Sequence, residues 1–191
     1  MFAGQANVAN HVGCTACVAL ITATEIYVAN SGDSRAVLSK KGVAVEMSRD
    51  HKPDLPTEKK RIEKAGGFVE DGRVNGILNL SRSLGDMEYK NNSLLKAEEQ
   101  MITANPEVKV EKLGGDSEFL VIACDGIWDC MSSQDAVDFI NEKTSRKTYK
   151  YKISAAIENM FDQIIATDIG SSGGVGCDNM TCVVVQFKSK K

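Results

Sequence analysis

Residues 118–129 read Glu118-Phe119-Leu120-Val121-Ile122-Ala123-Cys124-Asp125-Gly126-Ile127-Trp128-Asp129. The run from Glu118 to Cys124 predicts a short, very apolar strand that ends at Asp125-Gly126. Two helices are expected after it. Ser132 or Ser133 caps the first, with Asp135 in its first turn. The second runs from about Lys152 to Ala166, where Ile153, Ile157, Met160, Phe161, Ile164 and Ile165 fall on one stripe. A glycine-rich loop, Gly170 to Gly176, leads to a last strand, Met180 to Phe187.

Upstream the pattern is strand-like. Cys14 to Thr22 is a nearly continuous apolar run, expected to be buried on both faces. Glu25–Asn30, Arg35–Ser39 and Val43–Met47 follow with short connections, which predicts an antiparallel meander. Pro53, Pro56 and Glu58–Ala65 read as a helix start and a short charged helix, stopped at Gly66. Asp71-Gly72 between Phe68-Val69 and Arg73-Val74 is a hairpin signal. Residues 86–104 read as a polar surface excursion, and Glu107–Glu111 as a strand. Strand-rich segments with helices set apart from them give an α+β class, not alternating βαβ units.

The chain of 191 residues is long enough for one domain with a substantial core. Its net charge of -3 supplies no basic field for nucleic acid or an anionic membrane, and the lysines at 188, 190 and 191 read as a solubilising end. No apolar run is long enough to span a bilayer. Met1-Phe2-Ala3-Gly4-Gln5 has no basic or long apolar region, so no signal peptide is expected. The six cysteines, with no secretion signal, read as reduced thiols in a cytoplasmic or nuclear protein, and four of them sit in or beside apolar runs. Cys14-x-x-Cys17 lacks a second ligand pair for zinc, and on a strand its two side chains face opposite ways.

Three carboxylates are placed where chemistry needs them: Asp33 after a strand, Asp125 at the end of the apolar strand, and Asp178 between the glycine-rich loop and the last strand. A carboxylate at a strand mouth is costly unless it is paired, hydrogen-bonded or bound to a cation. Hard divalent ions take oxygen ligands of this kind, together with water. Taken singly, each Asp reads as a turn or helix cap, and spacing leaves the two readings open. A haloacid-dehalogenase arrangement is excluded, because the second Asp it needs two residues on is Ile127 here.

Further motifs stand in a fixed order: Gly13-Cys14-Thr15-Ala16, Ala29-Asn30-Ser31-Gly32-Asp33-Ser34-Arg35, Asp50-His51-Lys52-Pro53, Leu80-Ser81-Arg82-Ser83-Leu84-Gly85-Asp86, Ala123-Cys124-Asp125-Gly126-Ile127-Trp128-Asp129 and Asp178-Asn179-Met180-Thr181. With them the chain, from about Gly13 to Phe187, resembles the protein phosphatase 2C family of metal-dependent serine/threonine phosphatases. The resemblance implies a sandwich of two antiparallel β-sheets flanked by helices, here a single partial domain over 1–191, incomplete at the N-terminus. It implies Mg²⁺ or Mn²⁺ as cofactor, held by Asp125 and Asp178, with Asp33 helping to hold a weaker third ion. It implies a flap over the Asp50-to-Asp86 region, with Asn75, Arg82 and Asp86 structural in it, and phosphorylated proteins as substrates.

The family's Asp-Gly-His-Gly-Gly and upstream Glu-Asp motifs do not occur in this sequence. The carboxylate that bridges two metals, the phosphate-binding Arg and the His proposed as general acid have no counterpart, so no catalytic residue is identified. His11 reads as a surface residue and His51 as a turn-fixing one. The expectation is a phosphatase by family. The alternative is a catalytically inactive fragment or pseudophosphatase acting as a regulatory binding module.

Overall fold

A computed structural model describes residues 11–144 and 152–188. Met1 to Gln5 and the lysines at 190 and 191, discussed above, lie outside the described residues. The strands are β1 (Gly13–Cys14), β2 (Ala16–Ile21), β3 (Glu25–Ser31), β4 (Arg35–Lys40) and β5 (Val43–Glu46). Helix α1 (Pro56–Lys64) is followed by β6 (Val69–Glu70), β7 (Arg73–Val74), β8 (Leu84–Gly85), β9 (Glu107–Lys112) and β10 (Ser117–Ala123). Helices α2 (Asp125–Trp128), α3 (Ser133–Thr144) and α4 (Ile153–Ile164) precede β11 (Cys182–Gln186). The class is α+β, with antiparallel sheets plus helices.

The described chain divides into two compact units. The first takes the chain up to Ala19, Val28–Ser34 and Arg49–Lys109; the second takes Leu20–Tyr27, Arg35–Ser48 and the chain from Val110 onward.

The second unit holds a four-stranded sheet in the order β11-β10-β4-β5. Its strands are antiparallel, with Val121 opposite both Val184 and Val37, and Leu38 opposite Val45. As a central strand β10 is covered on both sides, which is why Phe119, Leu120, Val121 and Ala123 are all buried. The core joins Val37, Phe119 and Val121 of the sheet to Ile127, Trp128, Val137, Ile140 and Met160 from the helices. Each such side chain contributes about 1.5–3 kcal/mol when fully buried. Ser132 caps α3: its hydroxyl receives the Asp135 N–H at 3.1 Å and donates to the Asp135 carboxylate at 2.6 Å. Among the stripe residues of α4, Met160 is buried, whereas Ile165 lies past the helix end and is exposed.

In the first unit α1 starts with Pro56 at its first turn and buries Glu58 and Ile62. Ile62, Val74 and Ile102 form a small apolar cluster. The β6–β7 hairpin turns through Asp71 and Gly72, both at positive φ, as the sequence predicts.

Several expectations need correction. The Cys14–Thr22 run is broken at Thr15, and β2 is not buried on both faces: Val18 and Leu20 are 61% and 63% exposed. Alternate side chains point to one face of β2, and that face is left uncovered on this strand at the end of the sheet ordered β2-β3-β9. The meander does not continue from β3 to β4, which belong to different sheets. The connecting turn is tied elsewhere: the Gly32 N–H donates to His51 Nδ1 at 3.2 Å, and Asn30 Nδ2 donates to the Gly32 carbonyl at 3.0 Å. Residues 86–104 are not only a surface excursion, because Ile102, Thr103 and Gln100 are buried. The cysteines are less deeply placed than apolar surroundings suggested: Cys14 and Cys177 are exposed and the other four are half-buried.

Candidate functional site

The candidate site is built where β10 and β11 end together. Their pairing reaches Ala123 opposite Cys182, and the Cys124 N–H then donates to the Thr181 carbonyl at 3.1 Å. The Cys124 thiol is inserted in the next rung. It accepts the Thr181 N–H at 3.2 Å and donates to the Asn179 carbonyl at 3.3 Å. Burial pushes the neighbouring Cys182 thiol up to about 12, so it stays protonated.

From Cys124 the chain turns into α2, which Asp125 begins. Trp128 fixes this turn from below: its indole N–H donates to the Ala123 carbonyl at 2.8 Å. The Arg35 guanidinium lies 5.1 Å from the Trp128 ring centroid and donates to Ser133 Oγ at 3.1 Å. The Asp129 N–H donates to the Asp125 carbonyl at 2.8 Å.

Asp178 reaches the same place from the other strand. Gly126 is buried against the 179–180 peptide. A Cβ at this position would collide with the Asn179 carbonyl and lie 3.6 Å from Asp178 Cβ. The missing side chain at Gly126 therefore lets the 178–180 segment lie against the first turn of α2. The Asp178 carboxylate also accepts its own neighbour's N–H, Asn179, at 2.7 Å. The glycine-rich loop is anchored at Gly176, whose carbonyl accepts the Ala166 N–H at 2.9 Å and whose Cα faces the Ile164 carbonyl too closely for a Cβ.

Of the three carboxylates singled out in the sequence, Asp125 begins α2 and Asp178 lies one residue before Asn179, whose carbonyl packs on Gly126. Asp33 lies in the first unit, 2% exposed, with Lys52 Nζ 2.5 Å from its carboxylate. Sequence reasoning did not foresee that pair, although Lys52 stands in the Asp50-His51-Lys52-Pro53 stretch. It also missed Gly126 as the residue on which the approach of Asp178 depends. His11 is exposed and pairs with Glu88 at 3.0 Å, and His51 is buried beside Gly32. Asn75 accepts the Phe68 N–H at 3.1 Å and Asp86 accepts the Ser83 hydroxyl at 2.6 Å, both local structural bonds.

Carboxylates are oxygen donors that suit a small hard cation, which binds through one or two of them and keeps several waters. Among the described residues no group of three or more His, Cys, Asp or Glu is gathered for a metal.

Known proteins match this arrangement over most of the chain. The family model "Protein phosphatase 2C" matches residues 2–172. "Probable protein phosphatase 2C 21" of Arabidopsis thaliana is 55% identical over 92% of the chain and 48% of its own length. "Protein phosphatase 1G" of Homo sapiens is 53% identical over 93% of the chain and 33% of its own length. The chain spans about half the length of the Arabidopsis relative it matches. A crystal structure of a Toxoplasma gondii phosphatase superposes with a TM-score of 0.72 at 32% identity, covering 87% of this chain and 49% of that one. With its motifs in order, the strand mouth built around Asp125 and matches of this extent, the chain belongs to the protein phosphatase 2C family.

Proposed function

We propose that these residues form part of a metal-dependent serine/threonine protein phosphatase, which hydrolyses phosphoserine and phosphothreonine in protein substrates. Family membership supports the reading, and one observation carries it: Gly126, the neighbour of Asp125, packs closely on the carbonyl of Asn179, the residue after Asp178.

In this reading Asp125 and Asp178 would hold Mg²⁺ or Mn²⁺. When bound, such an ion activates water and polarises phosphoryl oxygens. The chain's own part is positioning. Trp128 and Arg35 hold the α2 turn that presents Asp125, while Gly126 and the Cys124 rung hold the segment that presents Asp178. Asp33 enters the proposal as a weaker site, where its carboxylate would exchange Lys52 for a cation.

The test is Mn²⁺ binding followed by electron paramagnetic resonance, with hydrolysis of a phosphothreonine peptide measured alongside. Weak Mn²⁺ binding is expected, lost in Asp178→Ala and in Asp125→Asn, with little turnover by these 191 residues alone. Binding unchanged by both substitutions would overturn the ligand assignment. Robust turnover that depends on Asp178 would show that these residues suffice for catalysis.

A further inference from the structure

Within the second unit a groove lies between α3, α4 and the glycine-rich loop, and its lining includes neither Asp125 nor Asp178. It has a volume of about 540 Å³ and opens widely to solvent. Its floor is apolar: Met131, Phe139, Ile164 and Val175 line it. Met131, Phe139 and Ile164 pack on their inner sides against the unit's core, while Val175 is 54% exposed.

One wall of the groove is acidic. Asp135, Asp138 and Glu142 line it from α3, at a spacing that puts them on one stripe of the helix. Among the described residues no Lys or Arg is in the lining itself, although Lys143 of α3 reaches Glu142 from beside it and Gln134 donates to Asp138 at 2.9 Å. That is a local asymmetry, because the chain carries 23 basic residues against 26 acidic ones. The opposite wall contributes the uncharged Gln163. The α3 helix also shows what its outer face accepts: the Lys143 ammonium lies 5.4 Å from the centroid of the Phe139 ring and 3.6 Å from the Glu142 carboxylate.

An apolar floor beside one acidic wall selects its occupant by charge. An acidic segment would face like charges, and a plain apolar one would partly desolvate the carboxylates with nothing of its own to offset the cost. We propose that this groove docks a basic amphipathic segment of a partner protein. Its apolar side chains lie on the Phe139–Ile164–Val175 floor, and its Lys or Arg residues lie beside Asp138 and Glu142. The acidic wall on one side only sets the rotation of that segment about its own axis.

The experiment measures fluorescence anisotropy of a labelled Leu–Lys amphipathic helical peptide titrated with the chain. A Leu–Glu peptide of the same pattern serves as comparison. The Leu–Lys peptide is expected to bind, more weakly at high salt, and the Leu–Glu peptide not to bind. Asp138→Lys with Glu142→Lys is expected to weaken binding by about tenfold or more. Val175→Asp is expected to weaken it comparably by spoiling the floor. The charge-matched pair Glu63→Lys with Glu98→Lys, exposed residues of the first unit, should leave it unchanged. Thermal melts check that each variant folds, and Glu142→Gln supplies a milder change if the double reversal does not fold. No binding, equal binding by the Leu–Glu peptide, or equal loss in the charge-matched pair would overturn the proposal. Self-association abolished by the same groove substitutions would assign the groove to a second copy of the chain and overturn it too.

Discussion

Arg82 grips Glu58 at two points inside the first unit: Nη2 donates to Oε1 at 2.7 Å and Nε donates to Oε2 at 3.1 Å. Oε2 also accepts from Arg61 Nη1 at 2.6 Å and from Ser81 Oγ at 2.7 Å. Burial alone would push the Glu58 carboxyl up, but the bonds from Arg82, Arg61 and Ser81 outweigh it and hold the group at about 2.

A carboxyl with a depressed folded pKa contributes stability that is complete above its unfolded value, near 4.3. That contribution is lost as pH falls toward the folded value. For Glu58 it amounts to about 3 kcal/mol. Urea melts should therefore show a loss of stability in the first unit below about pH 4.5. Glu58→Gln should remove that dependence and cost about 3–5 kcal/mol at neutral pH, since it leaves buried guanidinium groups without their counter-charge. A variant as stable as the parent would refute the account.

His51 gives a second pH dependence in a different window. It is fully buried, with Nδ1 at the Gly32 backbone and Nε2 3.7 Å from the Glu107 carboxylate. Burial lowers its pKa, and the Arg82 charge lowers it further, against the opposing pull of Glu58 and Glu107. The fold disfavours the protonated imidazole, so this contribution to stability is full above its unfolded value of about 6.5 and falls below it. The slope is at most about 1.4 kcal/mol per pH unit. His51→Gln should flatten the fall in stability that begins below about pH 6.5, where Glu58 contributes almost nothing. An unaltered slope would count against neutral His51.

Gly126→Ala tests the strand mouth. The new methyl would meet the Asn179 carbonyl, so the 179–180 peptide has to move. Overpacking of this kind costs about 1–3 kcal/mol. Displacing Asp178 should also weaken Mn²⁺ binding while far-ultraviolet circular dichroism stays unchanged. Parental affinity in this variant would mean that Asp178 does not depend on the close approach.

The exposed face of β2 predicts behaviour in solution. Val18 and Leu20 point the same way from a strand at the end of its sheet. Apolar edge strands pair with other chains. This polypeptide made alone should self-associate, and Val18→Thr with Leu20→Lys should shift it toward monomer in size-exclusion chromatography. A parent that elutes as a clean monomer with one high-temperature transition would be the contrary result.

What the sequence made legible was local. The Asp71-Gly72 hairpin, the Pro56 helix start and the Ser132 cap each depend on residues a few positions apart, and each is found. Strand β10 was readable because an apolar run bounded by Asp125-Gly126 has few other uses. The similar Cys14–Thr22 run was misread because burial on the second face depends on neighbouring strands, which composition does not encode. Glu58 and Arg82 are 24 positions apart, and Gly126 is over 50 from Asn179. No periodicity announces either contact. Asp125 and Asp178 were singled out by strand-end placement, whereas Lys52 against Asp33 needed the folded turn.

The polar network around Glu58 also has a calorimetric consequence. Among the described residues the hydrocarbon cluster near it consists of Ile62, Val74 and Ile102 with their partly buried neighbours. The heat-capacity change of unfolding grows with apolar area exposed and shrinks with polar area exposed. Local opening of the α1 region therefore carries a small heat-capacity increment. Its hydrogen-exchange protection should fall almost linearly on warming, without the maximum near ambient temperature that a larger apolar core produces. The second unit, with ten buried side chains in one cluster, should show the curved profile instead.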